Sequence, residues 1–478
     1  MADINFVRSM LEKHGQAHLL RFFGELPESQ QQVLLEQIAA IDFDQLDRWV
    51  DAYVRKAPTV DLSGKIEPPP IVQPKNSPEI AAAKKKGQEL IAAGKVAAFV
   101  VAGGQGTRLG YEGPKGCLES TPVTKKPLFR VFAEQILAAS HRGKCIIPWY
   151  IMTSPANDVA TKAFFRQNNY FGLNARDVFF LVQGAMPAIA LDGKVLLASK
   201  GELALSPNGH GGSLLALRKS GALEDMAKRG VEFISYFQVD NPLIHCVDPL
   251  FIGLHAQAKA EMSAKALPKR DPMEKLGNFC VVDGKVTVIE YSDMPEELAL
   301  ACTPDGRLKF SAGSIAIHVL SRSFVEQLTP GGQCQLPWHR AEKAVACVDE
   351  SGKVVKPEAP NAVKLEMFVF DALPLAAKTV ILETLRSEEF SPIKNATGAD
   401  SLPTSLYDQV RRWAVWMEKA GIKVPRDADG QVAAAIEISP LFADSAEDLA
   451  AKVDRGLTIK SGQQFYLGSR GQIGGSRG

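Results

Sequence analysis

The sequence predicts an α/β protein: a mostly parallel, twisted sheet with helices on both faces, preceded by a helical N-terminal segment and followed by a small C-terminal domain. Three observations carry this. The apolar run Val96 to Ala102 is short and breaks into Gly103-Gly104-Gln105-Gly106, as a buried strand feeding a tight loop does. From there to Val239, short apolar runs alternate with longer segments of helical period. The chain has 478 residues, 46% of them hydrophobic and 23% charged, which suits one large globular domain with appendages.

Taken in order, residues 2 to 56 read as helical, because apolar residues recur at three- and four-residue spacing in Leu19-Leu20-Arg21-Phe22-Phe23 and from Val33 to Ile41. Pro27-Glu28-Ser29 separates these runs, with proline where a helix can start. A Pro-rich connector from Ala57 to Pro78 contains Pro68-Pro69-Pro70; it is extended and excluded from a helix or a central sheet position. Helices are expected over 78–93, 128–140, 156–168 and 212–229, and strands over 96–102, 146–152, 178–182 and 231–239. Beyond Asp271, two short apolar runs around Asp283-Gly284 signal a hairpin, and strand-like runs follow at 315–320 and 379–385. From Ser401 the pattern no longer marks a sheet, and the last ten residues are glycine-rich and read as disordered. The expected division is 1–78, a helical segment and connector; 79–400, the main domain; and 401–478, the small C-terminal domain.

Net charge is +1, so no extended basic surface for nucleic acid is indicated and any basic character is local. Seven cysteines are scattered without C-x-x-C pairs, which argues for reduced thiols and against a disulfide framework or zinc site. No apolar run approaches the roughly 18 residues of a membrane span, and the first residues lack a secretion pattern. A cytoplasmic protein with no membrane partner is the expectation.

In open parallel sheets, ligands sit beyond the carboxyl ends of the strands. Each motif below follows a predicted strand or opens a predicted turn, so a single site is expected there. The glycines of the 103–106 loop leave room for an anion to approach backbone N–H groups, and Arg108 and Lys115 add full positive charge. The dinucleotide fingerprint fails, because Leu109 holds the third-glycine position and Gly110 arrives one residue late. The Walker pattern fails because Lys115 follows Pro114 and precedes Gly116. Gln183-Gly184 follows a strand, and a glutamine amide can read the paired edge of a base. Ser206-Pro207-Asn208-Gly209-His210-Gly211-Gly212 is a second glycine turn opening a helix, where N–H groups favour anions or polar rings. Asp240, ending the 231–239 strand, is placed to hold Mg²⁺ together with substrate phosphates. The plainer readings are a glycine turn, a solvated glutamine, a hydrogen-bonded loop histidine and a capping aspartate.

Together the motifs resemble those of the eukaryotic-type UDP-sugar pyrophosphorylases, and within them the UDP-N-acetylhexosamine pyrophosphorylases. The shared elements are G-G-x-G-T-R-L-G-x-x-x-P-K, Q-G-x-x-P-A, V-D-N, E-Y-S and K-x-E-x-F-V-F-D, with P-W-Y-I-M-T-S, E-E-F-S-P-I-K-N and I-E-I-S-P-L. The likeness runs from the N-terminal helices to Ser439. It implies a Rossmann-like nucleotidyltransferase fold and transfer of a uridylyl group from UTP to a sugar-1-phosphate. It implies catalytic roles for Arg108, Lys115 and Lys364, with Lys364 facing the phosphates from the side opposite Lys115. The nucleotide would meet Ala102, Gly103, Gly104, Gly106, Thr107, Gln183, Gly184 and Gly209. The sugar would meet His210, Asn241, Gly277, Glu290, Ser311, Phe368 and Phe370, and Asp240 would bind Mg²⁺.

Where the family has F-N-A-G-N-I-A, this chain has Phe310-Ser311-Ala312-Gly313-Ser314-Ile315-Ala316, and a serine lacks the second hydrogen-bonding group of an amide. N-Acetylglucosamine-1-phosphate is the expected sugar; glucose- or galactose-1-phosphate is the alternative that Ser311 raises. A non-catalytic nucleotide-sugar sensor is the rival from another class, and the presence of all four charged site residues weighs against it. A monomer or weak homodimer is expected.

Overall fold

In the computed structural model, residues 4–56, 62 and 64–469 are described. The Pro-rich connector is therefore described in part, and the glycine-rich tail from Arg470 onward lies outside these residues. Two compact units form: Met1–Ser63 with Gln183–Ser213 and Gln335–Asp371, and Gly64–Val182 with Leu214–Cys334 and Ala372–Gly478.

The second unit is built on the run of small and branched residues at Val96–Val101, which forms a strand buried along nearly its whole length. Its parallel neighbours are Phe233–Gln238 on one side and Trp149–Thr153 on the other, with Val178–Val182 parallel beyond. The strand begins at Trp149, not Ile146, because Ile146 is exposed and Pro148 cannot donate to a ladder. Alternation sends Val96, Ala98 and Val100 into a core with Phe129, Phe132 and Ile136 of the helix Leu128–Gly143. On the other face Phe99 meets the edge of Tyr236, and the Tyr150 hydroxyl donates to Asp225 of the helix Ala222–Lys228 at 2.6 Å. Both faces are thus covered, as expected of parallel strands.

On the other side of Phe233–Gln238 the pairing is antiparallel, except that Thr379–Glu383 runs parallel to Met262–Pro268, so the ten-stranded sheet is mixed. Ala312–Ser321 runs antiparallel to Phe233–Gln238 and to Met262–Pro268. The hairpin Asn278–Val282 with Lys285–Ile289 turns at Asp283-Gly284, both at positive φ. The two-residue connection of this hairpin is too short for the crossover that parallel strands need. Ile66–Glu67 of the connector takes the edge next to Asn278–Val282, where prolines on either side do no harm. The helix expected over 212–229 is two, Gly212–Lys219 and Ala222–Lys228, separated at Gly221, which adopts the left-handed conformation. Helices Pro78–Ala92 and Pro249–Ala258 cross where Gly87 and Gly253 meet the partner's backbone, so close that a Cβ on either would overlap a carbonyl.

A bulge interrupts Ala312–Ser321: Ala264 faces His318 and Ala266 faces Ser314, leaving residues 315–317 opposite Lys265. Ala316 absorbs the excess at φ 55°. Ala316→Gly is expected to stabilise the fold by up to about 1 kcal/mol, read as a higher denaturation midpoint at unchanged slope.

Within the second unit, the C-terminal residues have their own apolar core around Trp413, Trp416, Ile436 and Phe465. Ala435–Ile438 and Gln464–Leu467 pair in parallel across the helix Ala446–Lys452. Buried Glu437 accepts from the backbone N–H groups of Val123 and Thr124 at 3.0 and 2.8 Å. Lys126 donates to Glu134 at 2.7 Å and to the Tyr466 hydroxyl at 3.0 Å, which ties this region to the segment that follows the glycine loop.

In the first unit, helices Ile4–Lys13, Glu28–Ala39 and Phe43–Trp49 bury Leu11, Leu34, Ile38 and Leu46 against Ile189, Val195, Val363 and Leu365. His339–Lys343, Ala362–Glu366 and Ile189–Ala190 form a small antiparallel sheet. Buried Gln16 joins the segments, donating to the Gly193 carbonyl at 2.9 Å and accepting from the Val195 N–H at 3.0 Å. No helix among the described residues is long and apolar enough to cross a membrane.

Candidate active site

The glycine loop follows the Val96–Val101 strand and closes on itself: Gly106 N–H donates to Gly113 O at 2.9 Å, and Lys115 N–H to Gly104 O at 3.1 Å. The N–H groups of Gly103, Gly104 and Gln105 find no acceptor among the described residues. Gly104 is exposed, and the nearest atom to a Cβ placed there is the Lys115 Cε, 4.0 Å away. The fold itself therefore does not demand glycine at this point, whereas an anion approaching the backbone would. Thr107 and Arg108 are exposed, Lys115 is half-buried, and Ala102 is buried at the base.

Asp240 lies two residues past the adjacent strand, whose Gln238 is paired with Val101, and its carbonyl accepts from Ile393 N–H at 2.8 Å. It lines a cavity of about 140 Å³ with Gln238, Asn241, Ser314, Ala316 and Lys394. Asn241 is buried and braces the fold: its amide donates to Glu389 O at 2.6 Å and accepts from the N–H groups of Leu243 and Ser391 at 3.3 and 3.1 Å. Arg412 reinforces the same join by donating to Leu243 O and Glu388 O at 2.8 and 3.0 Å.

Antiparallel pairing carries the next residues to the same edge of the sheet. Asn278 pairs with Ile289 and with Gly313, so Gly277, Glu290 and Ser314 fall side by side beyond the carboxyl end of Phe233–Gln238. Gly277 is buried, and a Cβ there would crowd Val288 and stand 3.1 Å from the Glu290 carboxylate. Ser311 is half-buried, its carbonyl accepting from Lys269 N–H at 2.8 Å. Ser314, not Ser311, is the serine of this segment that lines the Asp240 cavity.

The first unit holds the remaining residues: Gln183 directly follows the large-sheet strand Val178–Val182, as expected, whereas Gly209, His210, Lys364, Phe368 and Phe370 lie on or beside the unit's own small sheets and not at a strand end of the large sheet. Buried Gln183 donates to Asn208 Oδ1 and Gly209 O at 3.3 and 2.7 Å, with Gly184 exposed beside it. Gly209, at φ 80°, has no room for a Cβ against the Met367 carbonyl. Val369 N–H donates to His210 Nδ1 at 3.1 Å, and the His210 ring stacks on Phe368 with centroids 5.2 Å apart. Loss of hydration and the neighbouring His339 push the His210 pKa down to about 4, so the ring is neutral at pH 7, with its proton on Nε2. His339 stacks on Phe368 at 4.3 Å and pairs with Asp371 at 2.7 Å, while Phe370 lies 5.2 Å from Phe368. Lys364 is half-buried on the Ala362–Glu366 strand.

Sequence reasoning singled out neither Lys394 and Ser314, which line the Asp240 cavity, nor His339 and its partner Asp371 beside Phe368. Lys394 sits on an irregular strap in the quoted S-P-I-K-N, where no period marks a side chain's direction.

Mg²⁺ takes oxygen ligands, keeps several waters and often uses one or two carboxylates plus substrate phosphates. Asp240 fits that use; among the described residues, no group of three or more His, Cys, Asp or Glu side chains could hold a metal by itself.

A mixed sheet whose central glycine loop leaves its amides open beside a carboxylate is the arrangement of a nucleotide-handling α/β transferase. A family model for UTP–glucose-1-phosphate uridylyltransferase matches residues 43–424. The chain is 38% identical to the human UDP-N-acetylhexosamine pyrophosphorylase-like protein 1, over 94% of each. It is 38% identical to the UDP-N-acetylglucosamine pyrophosphorylase of Saccharomyces cerevisiae, covering 76% of this chain and 77% of that one. The crystal structure of the Trypanosoma brucei uridine diphosphate N-acetylglucosamine pyrophosphorylase with an inhibitor superposes with a TM-score of 0.77, at 25% identity, over 94% of this chain and 95% of that one. The chain belongs to the UTP–glucose-1-phosphate uridylyltransferase family, as a nucleotidyltransferase of the UDP-sugar pyrophosphorylase type.

Proposed function

We propose that the protein makes a UDP-sugar and pyrophosphate from UTP and a sugar-1-phosphate, with N-acetylglucosamine-1-phosphate as the preferred sugar. The observation that supports this most is the set of open amides at Gly103, Gly104 and Gln105 beside Arg108 and Lys115. A phosphate oxygen of the sugar-1-phosphate attacks the α-phosphorus of UTP in line. The bond from the α-phosphorus to the bridging oxygen breaks, and pyrophosphate leaves with that electron pair. The nucleophile is already anionic, so no general base is needed, and catalysis is positioning plus charge neutralisation.

In this reading, Arg108, Lys115 and Lys364 neutralise the phosphates, and Lys394, on the Asp240 cavity, is added to them. Asp240 would hold Mg²⁺, which supplies further charge compensation when bound. Gln183, with its amide nitrogen engaged at Gly209, offers its oxygen to a uracil N–H; Ala102, Gly184, Gly209 and Thr107 complete the nucleotide contacts. The sugar is assigned to His210, Gly277, Glu290, Ser311, Phe368 and Phe370, with Asn241 acting chiefly by holding the wall. A cytoplasmic enzyme, monomeric or weakly dimeric, completes the proposal; its seven cysteines form no disulfide among the described residues.

A second reading has one observation in its favour. Serine stands at both positions 311 and 314 of the segment where the family has asparagine, and Ser314 faces the cavity. Glucose- or galactose-1-phosphate would then be preferred. Pyrophosphate release from UTP with a panel of sugar-1-phosphates decides. Selective turnover of N-acetylglucosamine-1-phosphate supports the first reading, and a glucose or galactose preference replaces it with the second. UTP binding with no turnover of any sugar would support a sensor instead.

A further inference from the structure

Asn157 opens the helix Asp158–Gln167 at the position where an asparagine side chain ordinarily accepts a hydrogen bond from an N–H of the first turn. It makes no such bond. Its Nδ2 instead donates to Ala102 O at 3.0 Å and to Gly104 O at 3.3 Å, while its Oδ1 accepts from Ser154 N–H at 2.8 Å. Only 1% of the residue is exposed. The same turn is held from the loop's side, where Gln105 Nε2 donates to Ala156 O at 3.2 Å.

We infer that Asn157 is a positioning residue that sets the orientation of the phosphate-holding loop by drawing the carbonyls of Ala102 and Gly104 toward the helix turn. A peptide plane carries its C=O and N–H on opposite sides. Fixing the Ala102 carbonyl therefore fixes the Gly103 N–H, and fixing the Gly104 carbonyl fixes the Gln105 N–H. These are two of the three amides that donate to nothing among the described residues. Asn157 thus pre-aims donors that it never touches, at the expense of its own helix cap. Preorganised donors of this kind contribute most where charge develops. The inference rests on the proposal that this loop holds the UTP phosphates.

Asn157→Asp tests it in the full-length protein, with Asn157→Ala and Gly104→Val as companions. An aspartate keeps the Ser154 contact and the shape but, when ionised, turns a negative oxygen toward two carbonyls. At neutral pH, kcat/KM for UTP is expected to fall about 100-fold, the cost of a small misplacement of reacting groups. KM for the sugar-1-phosphate should stay within about twofold, since only the loop is misplaced. Burial against carbonyl oxygens raises that carboxyl's pKa, and the protonated acid regains one donor. The activity of Asn157→Asp relative to wild type should therefore rise as pH falls from 8 to 6, while that of Asn157→Ala stays level; a merely structural role would not produce this split.

The inference is overturned if UTP kinetics are unchanged in both Asn157 variants, or if losses simply follow lowered melting temperature with no pH-dependent recovery. Gly104→Val separates the two layers. If it leaves UTP kinetics unchanged, the loop does not hold the phosphates and the underlying reading fails. If it impairs UTP use while the Asn157 variants do not, only the inference fails.

Discussion

Lys265→Met is expected to destabilise the protein by about 3–5 kcal/mol, the cost of leaving buried charges without their partner. Lys265 is 1% exposed on the central strand Met262–Pro268 and donates to Asp248 and to both carboxylate oxygens of Glu389 at 2.6 Å. Burial alone would suppress its charge, but the two carboxylates outweigh that and hold its pKa above the ordinary lysine value. Burial likewise opposes ionisation of Asp248, and Lys265 reverses this, leaving that carboxyl below the usual aspartate range. A depressed carboxyl contributes stability above its unfolded pKa and loses it as pH falls through the folded one. The wild type should therefore lose this part of its stability only at acid pH, and Lys265→Met should lack it already at neutral pH. Denaturant titrations of both proteins at neutral and acid pH check this. Equal stability at neutral pH would show that the triad contributes nothing. The consequence reaches the site, because Glu389 also accepts from Thr384 and its carbonyl holds Asn241 beside Asp240.

Lys115→Ala is expected to lower kcat by about 100- to 1000-fold, the usual effect of removing one donor that meets charge developing in a transition state. The side chain lies along Gly104 and makes no ion pair with the described residues, so its loss removes little folding energy. Melting temperature should stay near that of wild type while turnover collapses. Unchanged kcat would remove Lys115 from the mechanism; a matching drop in melting temperature would make it structural.

Much of the fold was legible because local periodicity carries it. The Val178–Val182 strand and the start of the helix at Pro78 coincide with their expected bounds, since alternation, capping and proline placement act over a few residues. The Asp283-Gly284 turn was legible for the same reason. Gly221 was missed as a helix break because a lone glycine inside a helical period is usually tolerated. The glycine loop stood out through composition, whereas its brace Asn157 looked like any residue at a helix start.

The sequence alone thus determined the α/β character, the central strand and loop, and which residue types surround them, because those are short-range properties of the chain. Tertiary structure decided that residues 183–213 and 335–371 fold with the N-terminal helices, and that several strands of the large sheet pair antiparallel. It also decided that Lys394 and Ser314 line one cavity with Asp240. These outcomes depend on contacts between residues far apart in the chain, on strand register and on side chains leaving irregular backbone, and none of them leaves a periodic trace in the order of amino acids.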